Sequence, residues 1–112
     1  MVKHSTTTLD ATFGALSDAT RRGILAQLAL GETSVSDLAA PYDMTLPAVS
    51  KHLRVLEDAG VVRSMRLGRE SLYALEPQPL ADARDYLDGV SKQWDDALAR
   101  LKSFIEDGQP PA

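Results

Sequence analysis

The spacing of apolar residues near the start of the chain predicts two short helices. Leu9, Phe13 and Leu16 recur at about one helical turn and give the first of them. The second is expected over 19–30, where Asp18 precedes the apolar stripe and supplies an oxygen that can cap the helix.

Capping residues and prolines then mark two further helices. Ser36 is the expected cap of a third, brief helix, which Pro41 stops because proline cannot continue a helix. Thr45 is the expected cap of a fourth, with Pro47 in its first turn and Gly60 just past its end. These boundaries give a short helix, a tight turn and a longer helix.

The fourth helix has two different faces. An apolar face suited to packing consists of Leu46, Val49, Leu53 and Leu56. A second face, free for a partner, consists of Ala48, Lys51, His52 and Val55. One side of the helix is therefore expected to pack while the other recognises something.

After the fourth helix the pattern changes to that of a β-hairpin. Residues 61–75 are rich in β-branched and alternating side chains, interrupted by the stretch from Leu67 to Glu70. Gly68 lies in that stretch and favours a tight turn between two antiparallel strands. Arg66 and Arg69 bracket the glycine, so the expected hairpin has a basic tip.

The last part of the chain predicts one long helix with an apolar seam. Pro77 and Pro79 break the chain before it, and the residues that follow at intervals of three and four resemble a coiled coil. The seam exceeds what the core of a 112-residue chain needs, which favours a dimer over packing within one domain. The residues of this seam expected at the dimer interface are Leu80, Ala83, Leu87, Val90, Trp94, Ala97, Leu101 and Phe104.

Together these elements predict a mainly α fold with a small β-hairpin: a winged helix-turn-helix of roughly five helices and a two-stranded wing, forming a homodimer through the seam of its last helix. A flexible N-terminal arm is expected over 1–8 and a frayed tail over 107–112. The single domain between them, 9–106, includes the C-terminal dimerisation helix.

Composition excludes several classes of protein. Hydrophobic residues make up 44% of the chain and charged residues 25%, which is ordinary for a globular protein in water. No secretory signal or membrane span is evident, so a cytoplasmic location is expected. Cysteine is absent, which removes disulfides and thiolate metal sites. With no glycine-rich phosphate loop and only His4 and His52 as histidines, catalysis is not expected.

The net charge of −4 conceals an uneven distribution. Residues 45–69 hold five basic and two acidic side chains, a local charge of +3. Residues 76–112 hold eight acidic and four basic side chains, a local charge of −4. A polyanion is therefore an acceptable partner for the middle of the chain alone.

The major groove of DNA admits one helix, whose first turns reach base edges while neighbouring basic side chains meet phosphates. The basic hairpin would then touch the adjacent backbone or minor groove. Ordinary solvated charges are the alternative for each residue taken singly, and His52 also fits a plain surface position. The residues expected to bind DNA are Ser36, Thr45, Pro47, Ala48, Ser50, Lys51, His52, Arg54, Arg66 and Arg69.

Several segments resemble the ArsR/SmtB family of bacterial repressors. Residues 13–25 are similar to the family's entry into its second helix, and 48–62 to its recognition helix and the step into the wing. Gly68 and Arg69, followed by Tyr73, match the wing turn and its return strand. The resemblance implies a repressor that binds duplex DNA as a homodimer through its terminal helices, with the first and last helices paired across a two-fold axis. This pairing adds Leu9 and Phe13 of the first helix to the expected dimer interface.

The chain departs from the metal-sensing members of that family. Where they carry Cys-x-Cys it has Ser34-Val35-Ser36, and it has no histidine in its last helix. A carboxylate site built from Asp82, Asp85 and Asp88 is the remaining metal alternative, although acids at this spacing are usually just solvated. No cofactor is expected, whereas a small-molecule or protein effector, or an autorepressor without ligand, stays open.

A rival function is a winged helix that binds only another protein, through its seam or a helix face. The acidic last helix suits such a role. A pure protein-binding module, however, has no need to place Lys51, Arg54, Arg66 and Arg69 on one side. The basic middle of the chain therefore favours DNA.

Overall fold

A computed structural model describes residues 6–108, which form five α-helices and a three-stranded antiparallel sheet. In chain order the elements are α1 Thr6–Ala15, α2 Ala19–Leu28, β1 Thr33–Ser34, α3 Val35–Ala39, α4 Leu46–Asp58, β2 Val62–Leu67, β3 Glu70–Leu75 and α5 Pro77–Asp107. The predicted mainly α winged helix-turn-helix is confirmed.

The two ends of the fold differ in detail from the expected boundaries. Helix α1 begins at Thr6, inside the segment expected to be a flexible arm, and the rest of that arm lies outside the described residues. Helix α5 ends at Asp107, where Gly108 adopts a left-handed φ of 68°. The remainder of the expected tail, 109–112, also lies outside the described residues.

Two of the three predicted helix caps are confirmed and one is wrong. The Asp18 carboxylate accepts a hydrogen bond from the Arg21 backbone N–H at 3.0 Å and caps α2. Thr45 Oγ1 likewise accepts one at 3.2 Å and caps α4. The cap of α3 is Ser34 rather than Ser36, because the backbone is extended at Ser34 and already helical two residues later.

The sheet contains one strand that the sequence pattern did not predict. Strands β2 and β3 form the expected hairpin, in register from Val62 opposite Leu75 to Leu67 opposite Glu70. Strand β1 then pairs with β3 through Thr33 opposite Tyr73, giving the order β1-β3-β2. Two residues are too few to show the alternation of apolar and polar side chains that indicates a strand. Strand β1 is defined by its pairing with β3, which is distant in sequence.

The core lies where α2, α3 and α4 meet the base of the hairpin. Its fully buried large side chains are Ile24, Leu38, Val49, Leu53, Leu56, Val61 and Val62. Leu46 was expected to join this packing face but is 48% exposed, because it is the first residue of α4 and reaches only the edge of the core. The other three apolar positions of that face are buried as predicted.

Most of α5 projects away from this core. The helix has 31 residues, a length of about 46 Å at 1.5 Å per residue, and Ala83 is its one buried residue. Near its start it packs against α1, where the rings of Phe13 and Tyr86 meet edge to face. Within residues 6–108, no helix combines the length and apolar character that crossing a bilayer requires.

Candidate nucleic-acid interface

The outward surface of α4 carries most of the residues predicted to bind DNA. Val49, Leu53 and Leu56 anchor the opposite face in the core and fix which way the helix faces. The side chains turned to solvent are Thr45, Pro47, Ser50, Lys51 and Arg54, while Ala48 and His52 are half-buried along the flank. The structure therefore gathers the α4 candidates on one exposed strip.

Helix α3 packs against α4. Side-chain contacts from α2 help to hold it there. Gln27 Nε2 donates to the Leu38 carbonyl oxygen at 3.3 Å and contacts the Tyr42 hydroxyl at 3.5 Å. Ser36, another DNA candidate, is exposed in the first turn of α3. This is the arrangement of a helix-turn-helix, in which the first helix of the pair supports the reading helix.

The hairpin presents its two predicted arginines at the tip. Arg66 and Arg69 are both exposed, and Arg66 Nε donates to the Gly68 carbonyl oxygen at 3.4 Å. Gly68 has a φ of +65°, which a residue with a side chain rarely adopts. The tight turn therefore depends on glycine and produces a narrow cationic projection.

A short connection with hydrogen bonds to α4 joins that helix to the hairpin. Gly60 takes a φ of +80°, and the Val61 N–H donates to the Leu56 carbonyl oxygen at 3.1 Å. Within β2, Ser64 Oγ donates a hydrogen bond to Glu57 Oε2 at 2.7 Å. These bonds link the base of the wing to the end of α4.

The cations on this surface differ in their partners. Arg63, at the base of the wing, pairs with Glu76, with 3.1 Å between Nε and Oε1. Within residues 6–108, no carboxylate oxygen lies within 4.0 Å of the charged groups of Lys51, Arg54 or Arg69. Their charge is therefore available to an external anion, whereas that of Arg63 is partly neutralised.

His52 has a partner that sequence reasoning missed. Its Nδ1 lies 3.7 Å from Oδ2 of Asp18, the residue that caps α2. The backbone hydrogen bond from Arg21 is the largest cause that lowers the pKa of the Asp18 carboxyl, and the charge of His52 acts in the same direction. No local pattern reveals this contact, because the two residues lie far apart in sequence.

The apolar face of α5 forms a second candidate surface, the seam. Trp94 is 64% exposed, and neighbouring positions of the predicted seam are also exposed or half-buried. Ala83 is the exception: it is buried inside its own protomer, because α5 packs there against the rest of the domain. Three further seam residues were missed, although their helical spacing from predicted members could have found them: Tyr86, Leu98 and Ile105.

The carboxylates of α5 do not gather into a group that resembles a metal site. Asp82 accepts a hydrogen bond from Gln78 Nε2 at 2.8 Å, and Asp85 lies 3.6 Å from Arg84 Nη2. Across the described part of the chain, no three His, Cys, Asp or Glu side chains come together as metal ligands would.

Known proteins are similar to this chain in sequence and in fold. Residues 18–64 match the family described as bacterial regulatory protein, arsR family. Over 97 residues the chain is 38% identical to the HTH-type transcriptional regulator Rv2034 of Mycobacterium tuberculosis, covering 87% of this chain and 88% of that relative. The chain belongs to the arsR family of bacterial regulatory proteins. It is therefore a regulator and not an enzyme.

Other arsR-type proteins extend the similarity. The chain is 33% identical over 86 residues to the transcriptional repressor SdpR of Bacillus subtilis, covering 77% of this chain and 96% of that relative. A crystal structure of an ArsR family transcriptional regulator matches with a TM-score of 0.75 and 37% identity, over 82% of this chain and 95% of that one. The homodimeric winged helix-turn-helix DNA-binding domain Mb0332 of Mycobacterium bovis matches with a TM-score of 0.60 and 26% identity, over 88% and 94%.

Proposed function

We propose that this arsR family member is a transcriptional repressor that binds a palindromic DNA operator as a homodimer. The observation that carries the proposal is the pair of exposed cationic surfaces, α4 and the wing tip, whose Lys51, Arg54 and Arg69 have no carboxylate partner within residues 6–108. The similarity to a named transcriptional repressor supports the direction of regulation.

Different exposed side chains would contact different parts of the DNA. The first turns of α4 enter the major groove, where Lys51 and the residues around it contact base edges. Arg66 and Arg69 touch the backbone or minor groove beside the reading helix. The residues assigned to DNA binding are Ser36, Thr45, Pro47, Ala48, Ser50, Lys51, His52, Arg54, Arg66 and Arg69.

Dimerisation follows from the unpacked seam. An isologous pairing of α1 and α5 would cover Trp94, Leu87 and Leu101, which the protomer leaves in water. The similarity to a homodimeric DNA-binding domain supports this pairing. Two copies related by a two-fold axis would place their α4 helices on half-sites about one helical turn apart.

The proposal includes no thiolate metal switch. The resemblance places the first cysteine of the metal-sensing members at Ser34, and here that hydroxyl accepts the Asp37 N–H and caps α3. A hydroxyl so engaged is a poor ligand for soft metals. The regulator acts in the cytoplasm, where the chromosome is, and either an effector of other chemistry or operator occupancy alone sets its state.

Selection of duplexes from a random pool tests the proposal. Purified protein is expected to enrich an inverted repeat, and Lys51→Ala is expected to enrich it less, with the same result in the presence or absence of divalent metals. Lys102→Ala, on exposed α5, serves as the control and should enrich as the wild type does. Recovery of sequences no different from the input pool would contradict the proposal.

A winged helix that binds only protein is not favoured. The chain's relatives are transcriptional regulators and repressors, and the cations at Lys51 and Arg69 have no acidic partner within the described residues. No observation on the acidic face of α5 favours a protein partner other than a second copy.

A further inference from the structure

The Asp18 carboxylate at the start of α2 contacts both α2 and the recognition helix α4. Asp18 Oδ2 accepts the Arg21 N–H at 3.0 Å and also lies 3.7 Å from His52 Nδ1. The Asp18 and His52 side chains are 36% and 21% exposed, so water screens the pair only partly. Within residues 6–108 it is the one ion-pair contact between α4 and another helix.

The junction between α1 and α2 holds this carboxylate in place. Arg21 Nε donates to the Ala15 carbonyl oxygen at 2.7 Å and its Nη2 to Gly14 at 3.3 Å, while Arg22 Nη1 donates to Leu16 at 2.7 Å. Both guanidinium groups therefore satisfy carbonyl oxygens at the end of α1. Neither guanidinium lies within 4.0 Å of the Asp18 carboxylate, which faces the imidazole, although the charge of Arg21 acts together with that of His52 to lower the pKa of Asp18.

The other charged groups on the elements packed against α4 are engaged elsewhere. On α3, the Asp37 carboxylate accepts from Thr33 Oγ1 at 3.2 Å. On β2, Arg63 pairs with Glu76, and on α4 itself Glu57 accepts from Ser64.

The remaining charges of α4 act on His52 from the solvent side. Lys51, Arg54 and Asp58 are all exposed, so water screens their interactions with the imidazole. Among the described residues, Asp18 is consequently the one whose carboxylate oxygen lies within 4.0 Å of an imidazole nitrogen of His52.

We propose that Asp18 is a positioning residue for DNA binding, which prepares His52 to take up a proton when a DNA phosphate arrives. This inference rests on the proposed function. Histidine is the side chain that gains or loses charge near neutral pH. With Nδ1 turned to Asp18, Nε2 is the nitrogen left to donate to a phosphate oxygen.

In this proposal, DNA binding is coupled to the uptake of a proton by His52. In the free protein one anion faces the ring, and in the complex two would face it. Because the second anion favours the charged form of the ring, DNA binding would be accompanied by uptake of a proton from solvent. DNA then binds more tightly as the pH falls, and each proton taken up changes the affinity by up to about tenfold per pH unit. A dimer has two such sites, so the effect doubles on a logarithmic scale.

Fluorescence anisotropy from about pH 6 to pH 8 at constant ionic strength tests this coupling. The probes are the duplex selected from the random pool and a scrambled duplex of equal length. Wild-type affinity is expected to fall about tenfold or more across this range. His52→Gln should be flat within about twofold, and Asp18→Asn, which keeps a capping oxygen but removes the charge, should lose at least half of the pH slope.

Two controls keep the result specific. His4→Gln, which removes the other histidine in the sequence, should retain the wild-type slope. Circular dichroism at each pH should show the same helix content in every variant. An independent readout is the His52 ring carbon resonance at about pH 7.5, which should move toward the imidazolium value when the selected duplex is added.

The possible failures are distinguishable. Tight wild-type binding that does not change with pH, or a slope that persists in His52→Gln, overturns the inference while leaving the proposed function intact. An unchanged slope in Asp18→Asn removes Asp18 from the mechanism and also overturns it. Absence of binding at every pH and at low salt contradicts the proposed function itself.

Discussion

The rings of Phe13 on α1 and Tyr86 on α5 meet edge to face, with their centroids 5.9 Å apart and their planes at 60°. The contact lies in the region where α1 packs against α5. Beyond it, α5 has no buried residue, and its exposed apolar side chains line one face of the helix. In the proposed dimer, a second copy would cover this exposed apolar seam.

Placing a charge in the seam should separate the dimer. Trp94→Glu is expected to give monomers in sedimentation velocity and to abolish tight operator binding, because an unpaired carboxylate would have to be buried. Ala99→Glu, on the opposite exposed face of α5, should remain dimeric. If Trp94→Glu stays dimeric at the wild-type concentration, the interface does not include this helix.

Base reading and backbone contact should separate by mutation. Lys51→Ala is expected to weaken the selected duplex by about 1–3 kcal/mol and random DNA much less, because it removes a base contact. Arg69→Ala should weaken both alike, because the wing tip touches backbone. Titrations against both duplexes measure the difference. Equal losses from both variants on both duplexes would refute this division of roles.

Gly23 should resist substitution because of Tyr42. A Cβ at Gly23 would overlap the Tyr42 hydroxyl, while the next ring atom, Cζ, would be 3.4 Å away. Gly23→Ala is therefore expected to lower the free energy of unfolding by about 1–3 kcal/mol, despite alanine's higher helix propensity. In a Tyr42→Phe background the same change should be neutral or stabilising. Urea denaturation of the four proteins checks the cycle, and an equal cost in both backgrounds would rule out the overlap.

The Asp18 carboxylate should make the free energy of unfolding depend on pH in the acidic range. Its pKa lies below the ordinary value of 3.8, chiefly because of the hydrogen bond from the Arg21 N–H. The stabilisation is therefore fully present above the unfolded-state pKa and is lost as the pH falls through the lower folded-state pKa.

Asp18→Asn isolates this contribution, because asparagine caps the helix without titrating. Between about pH 5 and pH 3 its free energy of unfolding should fall less than that of the wild type. Chemical denaturation at each pH measures both. Parallel loss in the two proteins would contradict the role of the carboxylate.

Local chemistry explains why much of this fold was predictable. The caps at Asp18 and Thr45, the turn at Gly68 and the apolar periodicity of α5 each depend on neighbours a few residues away. Such features are visible in a single sequence. They were enough to predict the order of the helices and the exposed strip on α4.

The features that were missed depend on distant contacts. Strand β1 exists because Thr33 meets Tyr73, and that pairing moved the α3 cap to Ser34. The exposure of Leu46 reflects where the core ends rather than the helical period. Ala83 looked like a seam residue, but the fold of its own protomer buries it. The approach of Asp18 to His52 is likewise set by tertiary packing.

The salt dependence of binding to the selected duplex tests the central claim most directly, because neutralised phosphates release counterions. Anisotropy titrations from about 50 to 200 mM salt should show affinity falling linearly on a log-log scale, by about 10³-fold if six or more phosphates are contacted. Arg69→Ala should make the slope shallower by about one contact per protomer. A flat response, or no binding to any duplex at low salt, would contradict the account.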